Sequence, residues 1–176
     1  MGPVIVLRTR SSQILGVAMV AAALLALASA AVDGRAALLQ YAAPAVLFGV
    51  LGWGAFWQPH IEVSDGGVLL ANTLRSVQVP WPAIEEVDGR YGLRLRTAYG
   101  RLTAWSAGAP SGRDRTRAPQ SEASVLVQQR LEELRGAGFL DNPRLERPRP
   151  VTTWHLPLIA AVVVLAVASA TLPLLG

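Results

Sequence analysis

Apolar residues gather in three long runs along this chain, and most polar residues lie in one segment between the second run and the third. The runs are Ile14–Val32, Ala36–Trp57 and His155–Gly176. The first holds 19 residues without a charge, and about 20 apolar residues in a helix cross the ~30 Å hydrocarbon core of a bilayer. The pattern therefore predicts three transmembrane helices around a polar insert.

The first apolar run has two interpretations. Arg8 and Arg10 precede it and Ala28-Ser29-Ala30 is a small-residue motif, as in a secretory signal peptide that is cleaved after Ala30. However, the run is longer than the ~7–15 residues of a signal-peptide core, and the second run follows after only Asp33-Gly34-Arg35. These features favour a transmembrane hairpin, and cleavage after Ala30 is the alternative.

The polar insert begins with the alternation that is typical of β-strands. Val77 and Val79 alternate with polar neighbours, and turn-forming residues such as Asp65-Gly66-Gly67 and Tyr99-Gly100 separate short apolar segments. About five to seven short antiparallel strands are predicted. The large apolar residues predicted to anchor the core of this segment are Trp81, Ile84, Leu93, Leu95 and Trp105.

One amphipathic helix is predicted after the strands. Ser121 is a favoured N-cap residue, and apolar positions from Val127 to Leu134 recur at helical spacing before the helix ends near Arg135. Such a helix would cap an open sheet or barrel. The predicted parts are an N-terminal segment with a transmembrane hairpin (1–57; spans 14–32 and 36–57), a strand-and-helix domain (58–138), a Pro/Arg-rich linker (139–153) and a third transmembrane helix (154–176). The fold class is membrane α plus α+β.

Composition agrees with an integral membrane protein and excludes several classes of function. The 176 residues are 52% hydrophobic and 16% charged, and the mean hydropathy is +0.36. The absence of cysteine excludes disulfides, thiolate metal sites and cysteine nucleophiles. The net charge of +4, from 16 arginines and 12 acidic residues, is too small and too mixed for a nucleic-acid partner.

Arginine placement predicts the orientation in the membrane. Arg8 and Arg10 precede the first run and 13 arginines lie in the insert, whereas the short turn between the first two runs has only Arg35. By the positive-inside rule, the N-terminus and the insert are cytoplasmic and the C-terminus is extracytoplasmic, in a multi-pass protein of the cell membrane. Aromatic residues predicted at the membrane interface are Trp53, Trp57 and Trp154.

Candidate chemistry in the insert is limited to charge. The sequence has no nucleophile-and-base set, no phosphate-binding glycine loop and no metal-ligand spacing, so no catalytic residue, cofactor or metal is predicted. Arginines can attract anionic lipid at ~1 kcal/mol each near a charged leaflet. The predicted contacts for anionic lipid are Arg94, Arg96, Arg101, Arg113, Arg115 and Arg117.

Four stretches of the insert resemble a known family. They are Ile61-Glu62-Val63 with Gly67-Val68, the segment from Leu74 to Ile84 that contains Pro80-Trp81-Pro82, Tyr91-Gly92-Leu93-Arg94-Leu95-Arg96-Thr97, and Thr103-Ala104-Trp105. These stretches are similar to the bacterial pleckstrin-homology-like (PH-like) domain of small actinobacterial membrane proteins, the low molecular weight protein antigen 6 group. The resemblance covers about residues 58–138 and implies antiparallel strands that are capped by a C-terminal helix.

The resemblance also implies a function. It implies a non-catalytic interaction or scaffolding module that is anchored in the lipid bilayer, is connected with the cell envelope and has an unidentified membrane or cell-envelope protein as its partner. The alternative is peripheral recognition of anionic lipid headgroups. Eukaryotic PH domains that grip phosphoinositides place basic residues around the first hairpin loop, but that loop is the acidic Ser64-Asp65-Gly66-Gly67 here. This departure from the PH pattern argues against selection of one headgroup and leaves diffuse attraction to anionic lipid open.

Overall fold

The computed structural model describes residues 4–89, 92–105, 121–140 and 148–172 of the chain. Its elements divide into two compact units, with boundaries at Thr9/Arg10, Gln58/Pro59 and Thr153/Trp154. In chain order the elements are β1 (Ile5–Leu7), α1 (Arg10–Val32), α2 (Arg35–Gly52), a π-helical turn (Trp53–Trp57), β2 (His60–Ser64), β3 (Gly67–Ala71), β4 (Arg75–Pro80), a 3-10 turn (Trp81–Ala83), β5 (Ile84–Asp88), β6 (Arg94–Thr97), β7 (Gly100–Thr103), α3 (Glu122–Gly136), β8 (Val151–Trp154) and α4 (Leu156–Thr171).

The helical unit contains α1, α2 and α4. Within the described part of the chain, two helices are long and apolar enough to cross a membrane: α1, and α2 continued by the π-helical turn, each of 23 residues. The third predicted span corresponds to α4, which has only 16 described residues. The helical unit thus supplies two helices of full crossing length rather than the three that the sequence predicts.

Small residues bring α1 and α2 close together. Gly16, Ala23 and Ala30 are the buried residues of α1, and they recur every seven residues, so they lie along one side of the helix. A Cβ atom added at Gly49 of α2 would lie 3.1 Å from the Cβ atom of Ala23, and one added at Gly52 would lie 2.5 Å from a Met19 side-chain carbon. The hairpin therefore packs through a seam where larger side chains do not fit.

The strand unit contains a five-stranded sheet with the order β1-β2-β3-β4-β8. The pairings of β1 with β2, β2 with β3 and β3 with β4 are antiparallel. Its two outer strands are not among the predicted strands: β1 lies in the predicted N-terminal segment, and β8 covers the end of the predicted linker and Trp154, the first residue of the predicted third span. Both are short runs rich in β-branched residues, Ile5-Val6-Leu7 and Val151-Thr152-Thr153-Trp154, and this composition favours strands.

A corner of the chain at Trp81 links the five-stranded sheet to a second sheet. This second sheet has three antiparallel strands in the order β5-β6-β7. The 3-10 turn Trp81–Ala83 follows β4 and leads directly into β5. Trp81 is 3% exposed, and its Nε1 donates a hydrogen bond of 2.9 Å to the carbonyl oxygen of Ser64. The indole therefore fixes the corner to the end of the β2 strand while its ring is buried in the core.

The core of the strand unit contains four of the five predicted anchors. Trp81, Ile84, Leu93 and Leu95 are buried. Trp105 is not a core residue: it is 68% exposed. The cause is strand alternation, because the preceding Ala104 is buried and successive side chains point to opposite faces.

Helix α3 follows the predicted capping pattern. The Ser121 hydroxyl accepts a hydrogen bond of 3.2 Å from the backbone N–H of Ser124, which confirms Ser121 as the N-cap. Val127 and Leu131 are buried in the core. At the other end, Arg135 donates hydrogen bonds of 3.3 and 2.9 Å to the carbonyl oxygens of Ile84 and Glu85. The helix is therefore attached to the core by apolar contacts and to the start of β5 by hydrogen bonds.

Candidate functional site

A groove lies between α3 and the edge of the five-stranded sheet. It has a volume of about 270 Å³ and is lined on the sheet side by Ile5 of β1, by Val63 and Ser64 of β2 and by Asp65 of the following turn. On the helix side it is lined by Leu126, Gln129, Arg130 and Glu133. These four residues are spaced three, one and three apart, so they form one stripe along α3.

Arg130 joins the two walls of the groove. Its guanidinium lies 2.9 Å from a Glu133 carboxylate oxygen on the same helix and 3.3 Å from Asp65 Oδ1 in the β2–β3 turn. The hydrogen bond to Glu133, together with the negative charges of Glu133 and Asp65, raises the pKa of Arg130 above its ordinary value. Arg130 is therefore charged at every physiological pH, and the three side chains together carry one net negative charge.

Among the strands that the structure describes, the sheet wall of the groove is an edge strand. β1 is the outermost strand of its sheet and its pairing in that sheet is with β2, where Ile5 is opposite Val63. An edge strand presents backbone N–H and C=O groups to a further strand. Ile5 and Val6 are 41% and 48% exposed, so apolar side chains accompany this edge.

The arginines predicted to contact lipid have acidic neighbours on the three-stranded sheet. Asp88 is opposite Arg94 and Glu86 is opposite Arg96 in the register of β5 with β6. Arg96 Nη1 lies 3.4 Å from Glu86 Oε2, and Arg101 is opposite Arg96 in the register of β6 with β7. Residues that are directly opposite share a face of a sheet, so the structure brings these arginines together in a strip of mixed charge.

The remaining arginines of that prediction are outside the described residues: Arg113, Arg115 and Arg117. The predicted interfacial aromatics are described, and all three are exposed. Trp53 and Trp57 lie in the π-helical turn, and Trp154 ends β8. Within the described part of the chain, no three His, Asp or Glu side chains are grouped so that they could hold a metal ion.

Sequence reasoning missed Asn72, which connects the β3–β4 turn to the end of β7. Its Nδ2 donates a hydrogen bond of 3.1 Å to the Thr103 carbonyl oxygen, and its Oδ1 accepts one of 2.7 Å from the Trp105 backbone N–H. The sequence signals only that Asn72 is a turn residue. Its partners lie 31 and 33 positions away, so no local pattern could indicate them.

Comparison with known proteins finds a similarity for the strand-rich segment. Residues 58–137 match the family model described as Bacterial PH domain. The match supports a bacterial PH-like domain in this segment, which includes β2 to β7 and α3. No curated protein and no solved structure matches the chain. PH-like domains are in general non-catalytic interaction modules.

Proposed function

We propose that this chain is a membrane-anchored, non-catalytic interaction module whose PH-like domain binds an extended segment of a membrane or cell-envelope protein. The observation that carries the proposal is the groove between α3 and the edge strand β1. The proposal has two parts, the anchoring in the bilayer and the binding in the groove, and they are tested separately.

Anchoring is supported by the surface of the helical unit. Leu24 and Leu25 of α1 are 61% and 72% exposed, and exposed apolar side chains along a 23-residue helix are stable in hydrocarbon. α4 joins this unit through Leu158, which lies 3.0 Å from where a Cβ of Gly54 would be. The Nε2 atom of Gln58 also lies 2.8 Å from Nδ1 of His155. We propose that α4 is the third span and that Trp53, Trp57 and Trp154 lie at headgroup level.

The proposed topology has a cytoplasmic N-terminus, a cytoplasmic PH-like domain and an extracytoplasmic C-terminus. Arginine is concentrated in the N-terminal segment and the insert, which supports this orientation. A reporter fused after Gly138 should be active on the cytoplasmic side, and one fused after Gly176 on the opposite side. The same side for both fusions would remove α4 as a span, and release of the first 30 residues by cleavage after Ala30 would replace the hairpin with a signal peptide.

Binding in the groove is supported by its combination of backbone and side-chain chemistry. An extended peptide that adds to an edge strand gains main-chain hydrogen bonds, and pockets beside the strand select its side chains. Here the edge of β1 supplies the backbone groups, and Ile5, Val63 and Leu126 supply apolar contacts. Asp65 and Glu133 leave one net negative charge beside Arg130. We therefore propose that the groove prefers a partner segment in which an apolar residue and a basic residue are adjacent.

A photo-reactive amino acid at position 126 tests the groove in native membranes. Leu126 lines the groove, whereas its neighbour Val125 is 40% exposed and does not. The probe at position 126 should give a crosslinked product of defined mass that the probe at position 125 does not give. Ile5→Asp should reduce that product, because it places a charge against the apolar contact. Equal crosslinking from both positions, or no effect of Ile5→Asp, would contradict binding in the groove.

Recognition of anionic lipid by the sheet arginines is the second candidate. Arg94 and Arg96 are opposite Asp88 and Glu86, and these carboxylates reduce the positive potential that would attract a headgroup. The first hairpin turn carries Asp65 and no basic residue. These observations argue against lipid binding by the arginine strip. Protein binding in the groove is therefore the function that we propose.

A further inference from the structure

We infer that Leu74, Arg75 and Trp105 form a surface that contacts the lipid bilayer, and we name it the Trp105 surface. The inference rests on the proposed anchoring of the helical unit and adds a second attachment of the PH-like domain to the membrane. It concerns a different part of the domain from the groove and from the arginine strip.

Two exposed apolar side chains are held together at this place. Leu74 is 48% exposed in the β3–β4 turn, and Trp105 is 68% exposed just after β7. Asn72 connects them: its backbone N–H donates to the Arg75 carbonyl oxygen at 3.0 Å, and its side chain binds the backbone of Thr103 and of Trp105. The turn and the tryptophan are therefore fixed beside each other.

The Trp105 surface lies at the end of the sheet where β2 begins, and the chain enters β2 from the π-helical turn. His60, the first residue of β2, is opposite Ala71, the last residue of β3, so the β3–β4 turn begins beside His60. Only Gln58 and Pro59 separate His60 from Trp57, and three residue steps span at most ~10 Å. If Trp57 lies at headgroup level, as proposed, the start of β2 is within ~10 Å of that level. The β3–β4 turn begins one strand spacing, ~5 Å, from that point.

A second strand connection leads to the same end of the sheet. Leu7, the last residue of β1, is opposite Ile61 of β2. Arg8 and Thr9 alone separate it from α1. The chain therefore leaves β1 for α1, and enters β2 from the π-helical turn, at the end of the sheet where the β3–β4 turn lies. The other turn of β3, at Asp65 and Gly66, lies at the opposite end of a five-residue strand, about 16 Å away.

The chemistry of the Trp105 surface matches the interfacial zone of a bilayer. Tryptophan is enriched at headgroup level because its ring is apolar and its N–H is polar. Leu74 can enter the boundary with the acyl chains, and the Arg75 guanidinium attracts anionic headgroups. Without a bilayer, the apolar surfaces of Trp105 and Leu74 are in contact with water. Contact with the bilayer removes them from water and is therefore favourable.

The test uses single cysteines, which the chain allows because its sequence has no cysteine of its own. Leu74→Cys is compared with Gly66→Cys, since the two turns lie at opposite ends of β3 and both positions are exposed. Each full-length variant carries an environment-sensitive fluorophore and is reconstituted in vesicles of equal parts phosphatidylcholine and phosphatidylglycerol. Quenching is then measured with phospholipids that carry a spin label near the headgroup.

Quenching at position 74 should exceed quenching at position 66 several-fold. Trp105→Ala should lower the signal at position 74 toward that of position 66, while Tyr99→Ala, which removes another exposed aromatic, should not. Equal quenching at 74 and 66, or no effect of Trp105→Ala, would overturn the inference. A second measurement compares the reaction of the cysteine at position 74 with a soluble maleimide in native membranes and in these vesicles. The cysteine could be protected in the native membranes only. That result would also overturn it, in favour of a protein partner.

A third cysteine separates failure of the inference from failure of the anchoring. Leu24→Cys lies on the exposed side of α1 and should be quenched by lipids labelled deep in the acyl chain. If position 24 is quenched and position 74 is not, the anchoring stands and the Trp105 surface is wrong. If position 24 is not quenched either, the anchoring is wrong and the inference falls with it.

Discussion

Replacing Trp81 with alanine should lower the free energy of opening of the strand unit by about 3–5 kcal/mol, the usual cost of removing a large buried aromatic. The indole is 3% exposed and packs in the same core as Ile84 and Leu95. Its loss also removes the donor to the Ser64 carbonyl oxygen. A small domain is stable by only ~5–15 kcal/mol, so the variant should be largely destabilised. Hydrogen exchange of the β2–β4 amides in the full-length protein measures the effect.

Trp105→Ala is the matched control for this prediction. It makes the same chemical change at a residue that is 68% exposed, and surface substitutions usually change stability by no more than ~0.5 kcal/mol. Protection of the β2–β4 amides should therefore be nearly unchanged in this variant. A loss of protection as large as that of Trp81→Ala would mean that Trp105 belongs to the core, as the sequence alone predicts. Unchanged protection in Trp81→Ala would place the indole on the surface.

These two tryptophans illustrate how far sequence pattern determines the fold. Alternation in β4 and the Pro80-Trp81-Pro82 segment indicate an apolar corner, and the structure has Trp81 buried there. At Trp105 the same reasoning fails, because the presence of a large aromatic residue next to a strand does not indicate which face of the sheet its side chain is on. The small Ala104 is the buried residue at that point, and alternation then directs Trp105 outward.

The outer strands show a second limit. β1 and β8 have three and four residues, which is too short for a periodic signal. Their strand character depends on pairing with β2 and β4, which lie far away in sequence. The sequence shows that Ile5–Leu7 is apolar, but it does not indicate that this segment pairs with β2. Local pattern therefore predicts the inner strands and α3 but not the two outer strands, β1 and β8.

The candidate groove could not be predicted from the sequence for the same reason. Ile5, Asp65 and Arg130 line it together, although about 60 residues separate each from the next. Each of them alone has an ordinary local explanation: an apolar strand residue, a turn residue and an exposed helix residue. The ion pair between Asp65 and Arg130 appears only after the hairpin and the helix have packed on the same core.

Replacing Gly67 with alanine should destabilise the strand unit by about 3 kcal/mol or more, because two costs combine there. Gly67 has a φ of 148°, in the region that side chains other than glycine rarely adopt. A Cβ atom added at Gly67 would overlap the Val79 carbonyl oxygen and lie 2.9 Å from the Pro80 Cα atom. Both neighbours are backbone atoms of the adjacent strand, where Gly67 is opposite Pro80, so neither can move without breaking the pairing of β3 with β4.

Two other glycines separate the steric cost from the conformational cost. Gly100 has a φ of 128° but nothing within 4 Å of an added Cβ, so Gly100→Ala should cost only about 1–2 kcal/mol. Gly136 is the last residue of α3, without a positive φ and with open space around it, and alanine there should be neutral or stabilising by up to ~1 kcal/mol. Hydrogen exchange should rank the losses as Gly67 above Gly100 above Gly136. Similar losses for Gly67→Ala and Gly100→Ala would show that β4 yields to the added methyl group, and that the β3–β4 pairing is not the rigid centre of the sheet.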